Sequence, residues 1–214
     1  MKKLIAILLA LLALTPALAE APIEPLPTLD SHATNGETIE IVIDGERVAL
    51  DFDAAPQYSS VSDGLVQASF YKYSDDGARL WELYLIFPET AQPGMLITPD
   101  YAAVTGEESS VVLIASDTAT EQETYYFASI MGDAVYPEGS DFSISLDDID
   151  ESGGSVTYSG RLSATLVALD MASGAVKDTL VIEETPFSFT LSDVSDERHS
   201  DPLPTALPDD MVRT

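Results

Sequence analysis

The chain contains no cysteine, so disulfides and thiolate chemistry are excluded and the fold rests on packing alone. Basic side chains are scarce. Nine Lys and Arg stand against 37 Asp and Glu over 214 residues, a formal net charge of −28. A field of that sign repels nucleic acid and anionic membrane surfaces and favours a soluble monomer through self-repulsion. It also concentrates counter-cations, which makes a divalent ion the ligand class that the charge favours. Histidine is limited to His32 and His199, both in segments that read as tails. A Ser-His-Asp arrangement needs a positioned imidazole, and no Gly-x-Ser-x-Gly turn is present. Zinc would lack both Cys and well-placed His. Phosphate-binding glycine loops are also missing, so enzymatic activity is not expected.

Long apolar runs are equally rare, and the one present lies at the start. Lys2 and Lys3 precede Leu4–Leu14, Thr15 and Pro16 break the helix, and Ala17-Leu18-Ala19 places small residues at a signal peptidase site. The run falls short of the roughly 20 apolar residues that span a bilayer. Residues 1–19 therefore read as a cleavable secretory signal. Lys2 and Lys3 are two of the nine basic residues, so cleavage leaves seven against 37 acidic ones, a net charge of −30. No Cys is available to carry a lipid, and Leu203–Leu207 lacks the remainder of a sortase signal. The expected product is secreted and extracellular, without membrane insertion.

Residues 20–35 are rich in Pro and acidic side chains and read as a disordered spacer. Residues 193–214 repeat that composition as an acidic tail. The intervening 36–192 suits one domain, able to bury about 70% of its unfolded surface. Its hydrophobic period is two rather than 3.6. Ile39, Ile41 and Ile43 alternate with polar neighbours, Asp44-Gly45 suits a hairpin turn, and Val48, Leu50 and Phe52 return. Leu65–Tyr73, a turn at Ser74–Gly77 and Arg79–Phe87 form the next hairpin, with Trp81, Leu83, Leu85 and Phe87 on one face. Val111–Ala115 pairs with Tyr125–Met131. Phe142, Ile144 and Leu146 lead into an acidic turn at Asp147–Gly154, Val156–Leu166 continues, Met171–Gly174 turns, and Phe187–Leu191 ends the domain. Pro99–Val104 has the composition of a short helical turn. The reading is all-β: a single antiparallel β-sandwich, or a calycin-like barrel, of about 8–10 strands.

Three side-chain patterns are candidate sites. Asp148, Asp150 and Ser152 fall at positions 1, 3 and 5 of an acidic turn with Gly153 next, the alternation of hard oxygen ligands that wraps calcium. Ser159 stands where a helix–loop–helix calcium loop needs a bidentate Glu, so only a looser hairpin site is compatible. Asp51 and Asp53, with Glu40 on the neighbouring strand, are paired carboxylates of the kind glycoside hydrolysis uses. Their alternation places them on the wet side of the sheet. Tyr71, Tyr73, Trp81, Tyr84, Tyr125, Tyr126 and Tyr158 are spread over several strands. A row of them exposed on one sheet face would form a carbohydrate or peptide platform, whereas a buried set would fill the core.

The segment Gly139-Ser140-Asp141-Phe142-Ser143-Ile144-Ser145-Leu146, followed by the acidic turn and Gly160-Arg161-Leu162-Ser163-Ala164-Thr165-Leu166, resembles a hairpin of uncharacterised secreted β-sandwich or calycin-like proteins of gut-type bacteria. The leader and the Pro-flanked acidic body are similar to clostridial-type secreted proteins. The resemblance covers some 30 residues and implies an extracellular or envelope setting, without assigning functional residues. Together these readings give a non-catalytic extracellular binding or accessory module for an unknown ligand, a glycan or a protein, with calcium dependence as one version. The alternatives are a secreted carboxylate-dependent hydrolase and a structural component of the cell envelope.

Overall fold

The computed structural model describes residues 34–43, 45–105, 108–129, 137–170 and 173–192. The expected signal sequence, spacer and acidic tail, with His32 and His199, lie outside them apart from the last residues of the spacer. Alternation of apolar and polar residues becomes strand in each expected segment, although the one expected over Tyr125–Met131 ends at Ala128, with residues 130–131 outside the described ones. β1 (Thr34–Ile43) and β2 (Glu46–Asp53) pair antiparallel with Ile43 opposite Glu46, which leaves a two-residue connection. Ile39, Ile41, Ile43, Leu50 and Phe52 are all buried on the same side. Full burial of each such side chain contributes about 1.5–3 kcal/mol, which is why this face turns inward.

The chain then forms β3 (Ser60–Ser62), β4 (Leu65–Tyr73), β5 (Arg79–Pro88), β6 (Leu96–Ile97), β7 (Ser110–Asp117) and β8 (Gln122–Ala128). The long arms β9 (Asp141–Ser152), β10 (Ser155–Leu169) and β11 (Val176–Ser192) follow. All pairings are antiparallel. The sheet runs β1-β2-β4-β5-β7-β8-β10-β9-β6, with β11 on the other edge of β10 and β3 beside β4. The one helix among the described residues, α1 (Pro99–Thr105), covers the segment expected to turn. Thr98 caps it through Oγ1, which accepts the Tyr101 N–H at 3.3 Å, and Pro99 occupies the first turn, where a missing N–H is harmless.

The structure is thus all-β, with eleven strands among the described residues, slightly more than alternation alone indicates. The additional strands are β3 and β6, which are too short to show a period. Two further departures have local causes. The acidic segment expected to be a turn from Asp147 continues as strand to Ser152, and only Gly153-Gly154 turns. Both glycines have positive φ, 61° and 84°, as a tight two-residue hairpin requires. The last strand begins at Val176 rather than near Phe187. A register shift opposite Leu162 and Ala164 breaks its alternation, so the first half reads as loop. Gly160 in β10 is fixed by proximity, since a Cβ there would collide with the Ser145 carbonyl and the Phe187 ring.

The sheet curls into a half-barrel that brings β1 alongside β11. Side chains lace this seam. Glu37 accepts hydrogen bonds from the Thr190 N–H at 2.7 Å and the Thr190 hydroxyl at 2.8 Å. Thr185 donates its hydroxyl to the Glu40 carbonyl at 2.8 Å. Pro186 lies four residues before Thr190 on β11 and has no N–H to offer, an arrangement suited to an edge strand.

One end of the half-barrel is packed with rings. Phe189 lies 5.3 Å from Phe52, 6.1 Å from Phe70, 5.3 Å from Tyr158 and 5.9 Å from Phe187, centroid to centroid. Phe87 completes the cluster at 5.6 Å from Tyr158. This end binds β2, β4, β5, β10 and β11 into one core. The opposite end, where the β1–β2, β4–β5, β7–β8 and β10–β11 connections gather, is packed differently.

Candidate functional site

At the end with the hairpin connections, the concave side of the sheet opens into a pocket of about 260 Å³. Strand alternation dictates its lining. Trp81 faces inward because it shares parity with buried Leu83, Leu85 and Phe87, and Arg79 follows the same parity one step nearer the rim. Register carries the wall across the sheet: Trp81 pairs with Ala115 and Arg79 with Asp117 on β7. Ala115 in turn pairs with Thr124, and Asp117 with Gln122, on β8. Tyr126, Leu113, Ser116, Ile43 and Leu180 complete the lining. Small side chains at Ala115 and Thr124 leave the space open, while Trp81 and Tyr126 supply flat ring surface beside it.

The rim is polar. Asp117 accepts the Ala119 N–H at 3.0 Å and the Thr120 N–H at 2.8 Å. Those bonds, the Thr120 contact foremost, hold its carboxyl below the ordinary value, and nearby Arg79 lowers it further. Arg79 also helps to lower Asp76, after the hydrogen bonds Asp76 receives from Ser74 and Ala78. Tyr126 donates its hydroxyl to Asp178 Oδ2 at 2.7 Å, joining β8 to β11 at the pocket edge. That bond is the main reason the Asp178 carboxyl lies below its usual range.

The expected aromatic set divides three ways. Tyr158 is core, 2% exposed. Trp81 and Tyr126 line the pocket. Tyr71, Tyr73, Tyr84 and Tyr125 stand on the outer face of the same sheet, with Tyr125 48% exposed. Burial, followed by the neighbouring Glu82, pushes the Tyr84 hydroxyl well above its ordinary value.

Asp51 and Asp53 do not form the wet pair expected of them. Asp53 has no solvent exposure, and its Oδ1 accepts the Ala55 N–H at 3.0 Å. The segment 54–62 folds back over that end of the strand, and Ser59 Oγ accepts the Ser69 N–H at 2.9 Å where β2 gives way to β3 beside β4. Glu40 instead forms an exposed ion pair with Arg47 at 2.9 Å.

Asp148, Asp150 and Ser152 lie at alternate positions along β9, opposite Ser159, Thr157 and Ser155 of β10. Being on a strand, they are strung out at about 6.6 Å per pair of residues instead of wrapping a common centre. Asp148 Oδ1 accepts the Ile149 N–H at 3.0 Å. Among the described residues, no three acidic or histidine side chains converge in a metal-binding group.

Reasoning from sequence named Trp81 and Tyr126 but missed Arg79, Asp117, Gln122 and Thr124. The signal that could have found them was present. Arg79 shares the Trp81 parity, and the β7–β8 hairpin sets Gln122 and Thr124 opposite Asp117 and Ala115 once its register is known. Comparison with family models, curated proteins and solved structures returned no match to this chain.

Proposed function

We propose that this chain is an exported, non-catalytic binding module whose half-barrel mouth takes one sugar ring of an extracellular glycan. The carrying observation is the pocket of about 260 Å³ that sets Trp81 and Tyr126 beside Gln122, Asp117, Thr124 and Arg79. Ligand sites favour barrel mouths, and they combine apolar or aromatic walls with a few convergent polar groups. The volume lies just below the roughly 300–1,000 Å³ that drug-sized ligands occupy, so a single ring fits better than a larger molecule. A sugar presents an apolar C–H face for a flat ring and hydroxyls for carboxylate, amide and guanidinium partners. The leader at residues 1–19 supports the extracellular setting, and the net charge of −28 favours a neutral ligand over an anionic one.

Trp81 is the only tryptophan in the sequence, so its emission reports on the pocket directly. Titration with a panel of neutral monosaccharides and short oligosaccharides is expected to give a saturable change with at least one of them. Ala115→Phe, which fills the space, is expected to abolish that change while leaving the melting midpoint close to that of the parent. A panel without effect, or an unchanged titration in the filled variant, would overturn the assignment.

A further inference from the structure

The convex side of the same sheet carries a second feature, separate from the mouth. Cross-strand register aligns Asp51 with Tyr71, Tyr71 with Glu82, Glu82 with Ile114, and Ile114 with Tyr125. At about 4.8 Å per strand this row extends roughly 20 Å across β2, β4, β5, β7 and β8, the length of several residues of extended peptide.

The row is both aromatic and acidic. Tyr84 donates its hydroxyl to Glu82 at 3.1 Å, and Tyr125 donates to Glu123. The hydroxyls of Tyr71 and Tyr125 are held in their neutral form beyond the usual range. The first is raised by burial and then by Asp53 and Asp51, the second by its Glu123 bond, then burial, then Glu82. These groups therefore sense a negative local potential. Lys and Arg are absent from the outward positions of β4, β5, β7 and β8, because Lys72 and Arg79 share the parity of the inner face.

We propose that this face docks an extended Lys- or Arg-bearing segment of a basic protein. The cations would lie over the exposed Tyr125 ring and the accessible edge of half-buried Tyr71, and against Glu82 and Glu123. Charge complementarity selects that occupant. An anionic partner is repelled, and a cation gains a full charge interaction from the carboxylates where a neutral ligand gains only hydrogen bonds. Cation–π contact is added where rings and carboxylates adjoin.

The test uses the full chain and a labelled peptide of alternating lysine and serine, followed by anisotropy. Saturable binding is expected. Tyr125→Ser leaves the charge unchanged and is expected to weaken binding about two- to fivefold, the loss of one exposed cation–π contact. Glu82→Gln combined with Glu123→Gln is expected to weaken it further. Asp148→Asn combined with Asp150→Asn removes the same charge from β9. It is expected to change affinity less than about twofold, since charges beyond a Debye length of about 8 Å are screened. Absence of peptide binding overturns the proposal. So does equal weakening by the β9 pair, which would mean a diffuse field, or no effect of Tyr125→Ser. Melting curves of each variant exclude unfolding as the cause.

Discussion

The two ends of the half-barrel are built from the same strands and filled in opposite ways. At the closed end, Phe52, Phe70, Phe87, Phe187, Phe189 and Tyr158 interlock, with Phe189 within 6.5 Å of every other ring centroid. At the open end, Ala115 and Thr124 leave about 260 Å³ unfilled beside Trp81 and Tyr126. Suitable apolar residues are available nearby, yet Val176 and Val181 are 46% and 56% exposed on β11. A local departure from packing logic is where function is expected.

The side-chain hydrogen bonds that hold β11 to the rest of the half-barrel divide along the same axis, from β1 at one end and from β8 at the other. Near the closed end, Glu37 is partly buried and accepts two hydrogen bonds from Thr190. At the open end, the lacing is the exposed bond from Tyr126 to Asp178. The first is shielded from water and the second is open to it, so the first contributes more to stability.

The largest effect that would distinguish the ends is Phe189→Ala, expected to lower stability by about 3–5 kcal/mol in urea unfolding, because five rings lose their common neighbour. A cost under 1 kcal/mol would mean that the closed end is loosely packed. Glu37→Ala is expected to cost about 1.5–3 kcal/mol, and Tyr126→Phe about 0.5–1 kcal/mol, following the burial of each bond. The open-end bond also carries a pH signature. The folded Asp178 carboxyl is depressed, so the unfolded chain takes up the proton first. Its stabilisation is therefore present above the ordinary Asp value of about 3.9 and is lost as pH falls below it, and Tyr126→Phe should reduce that acid limb, leaving the part due to the Thr179 N–H and Lys177.

Enlarging an alanine sharpens the contrast further. Ala68→Leu, in the packed interior, is expected to cost about 1–3 kcal/mol, whereas Ala115→Leu at the mouth should cost less than about 1 kcal/mol. Similar costs at the two positions would erase the distinction. The smallest effect concerns calcium. With Asp148, Asp150 and Ser152 strung along β9, millimolar calcium should raise the melting midpoint no more than sodium chloride of equal ionic strength. A specific rise abolished by Asp148→Asn with Asp150→Asn would restore a metal site.

Much of this architecture was legible in the sequence. Strict alternation at Ile39–Ile43, Leu50–Phe52, Leu83–Phe87 and Phe142–Leu146 specifies strands and their inner faces, because a one-residue slip would expose every buried side chain. What alternation cannot convey is which strands become neighbours. The outward parity of Asp53 is correct, yet the side chain is sealed because residues 54–62 cover that end of the strand. Likewise the acidic run 147–152 has turn composition but is held straight by its ladder to β10. The pocket was half visible. Trp81 had a legible face, but its polar partners come from β7 and β8 through register that no local pattern encodes. The seam residues Glu37 and Thr190 lie 153 positions apart and left no sequence trace at all.

Amide chemical-shift mapping of the full chain against the neutral sugar panel tests the filled-end, open-end contrast most directly. Saturating perturbations should cluster at Arg79, Trp81, Leu113–Asp117 and Gln122–Tyr126, with Phe52, Phe70 and Phe189 unmoved. Perturbations confined to the outer face or to β9, or no perturbation by any sugar, would contradict a ligand-binding mouth.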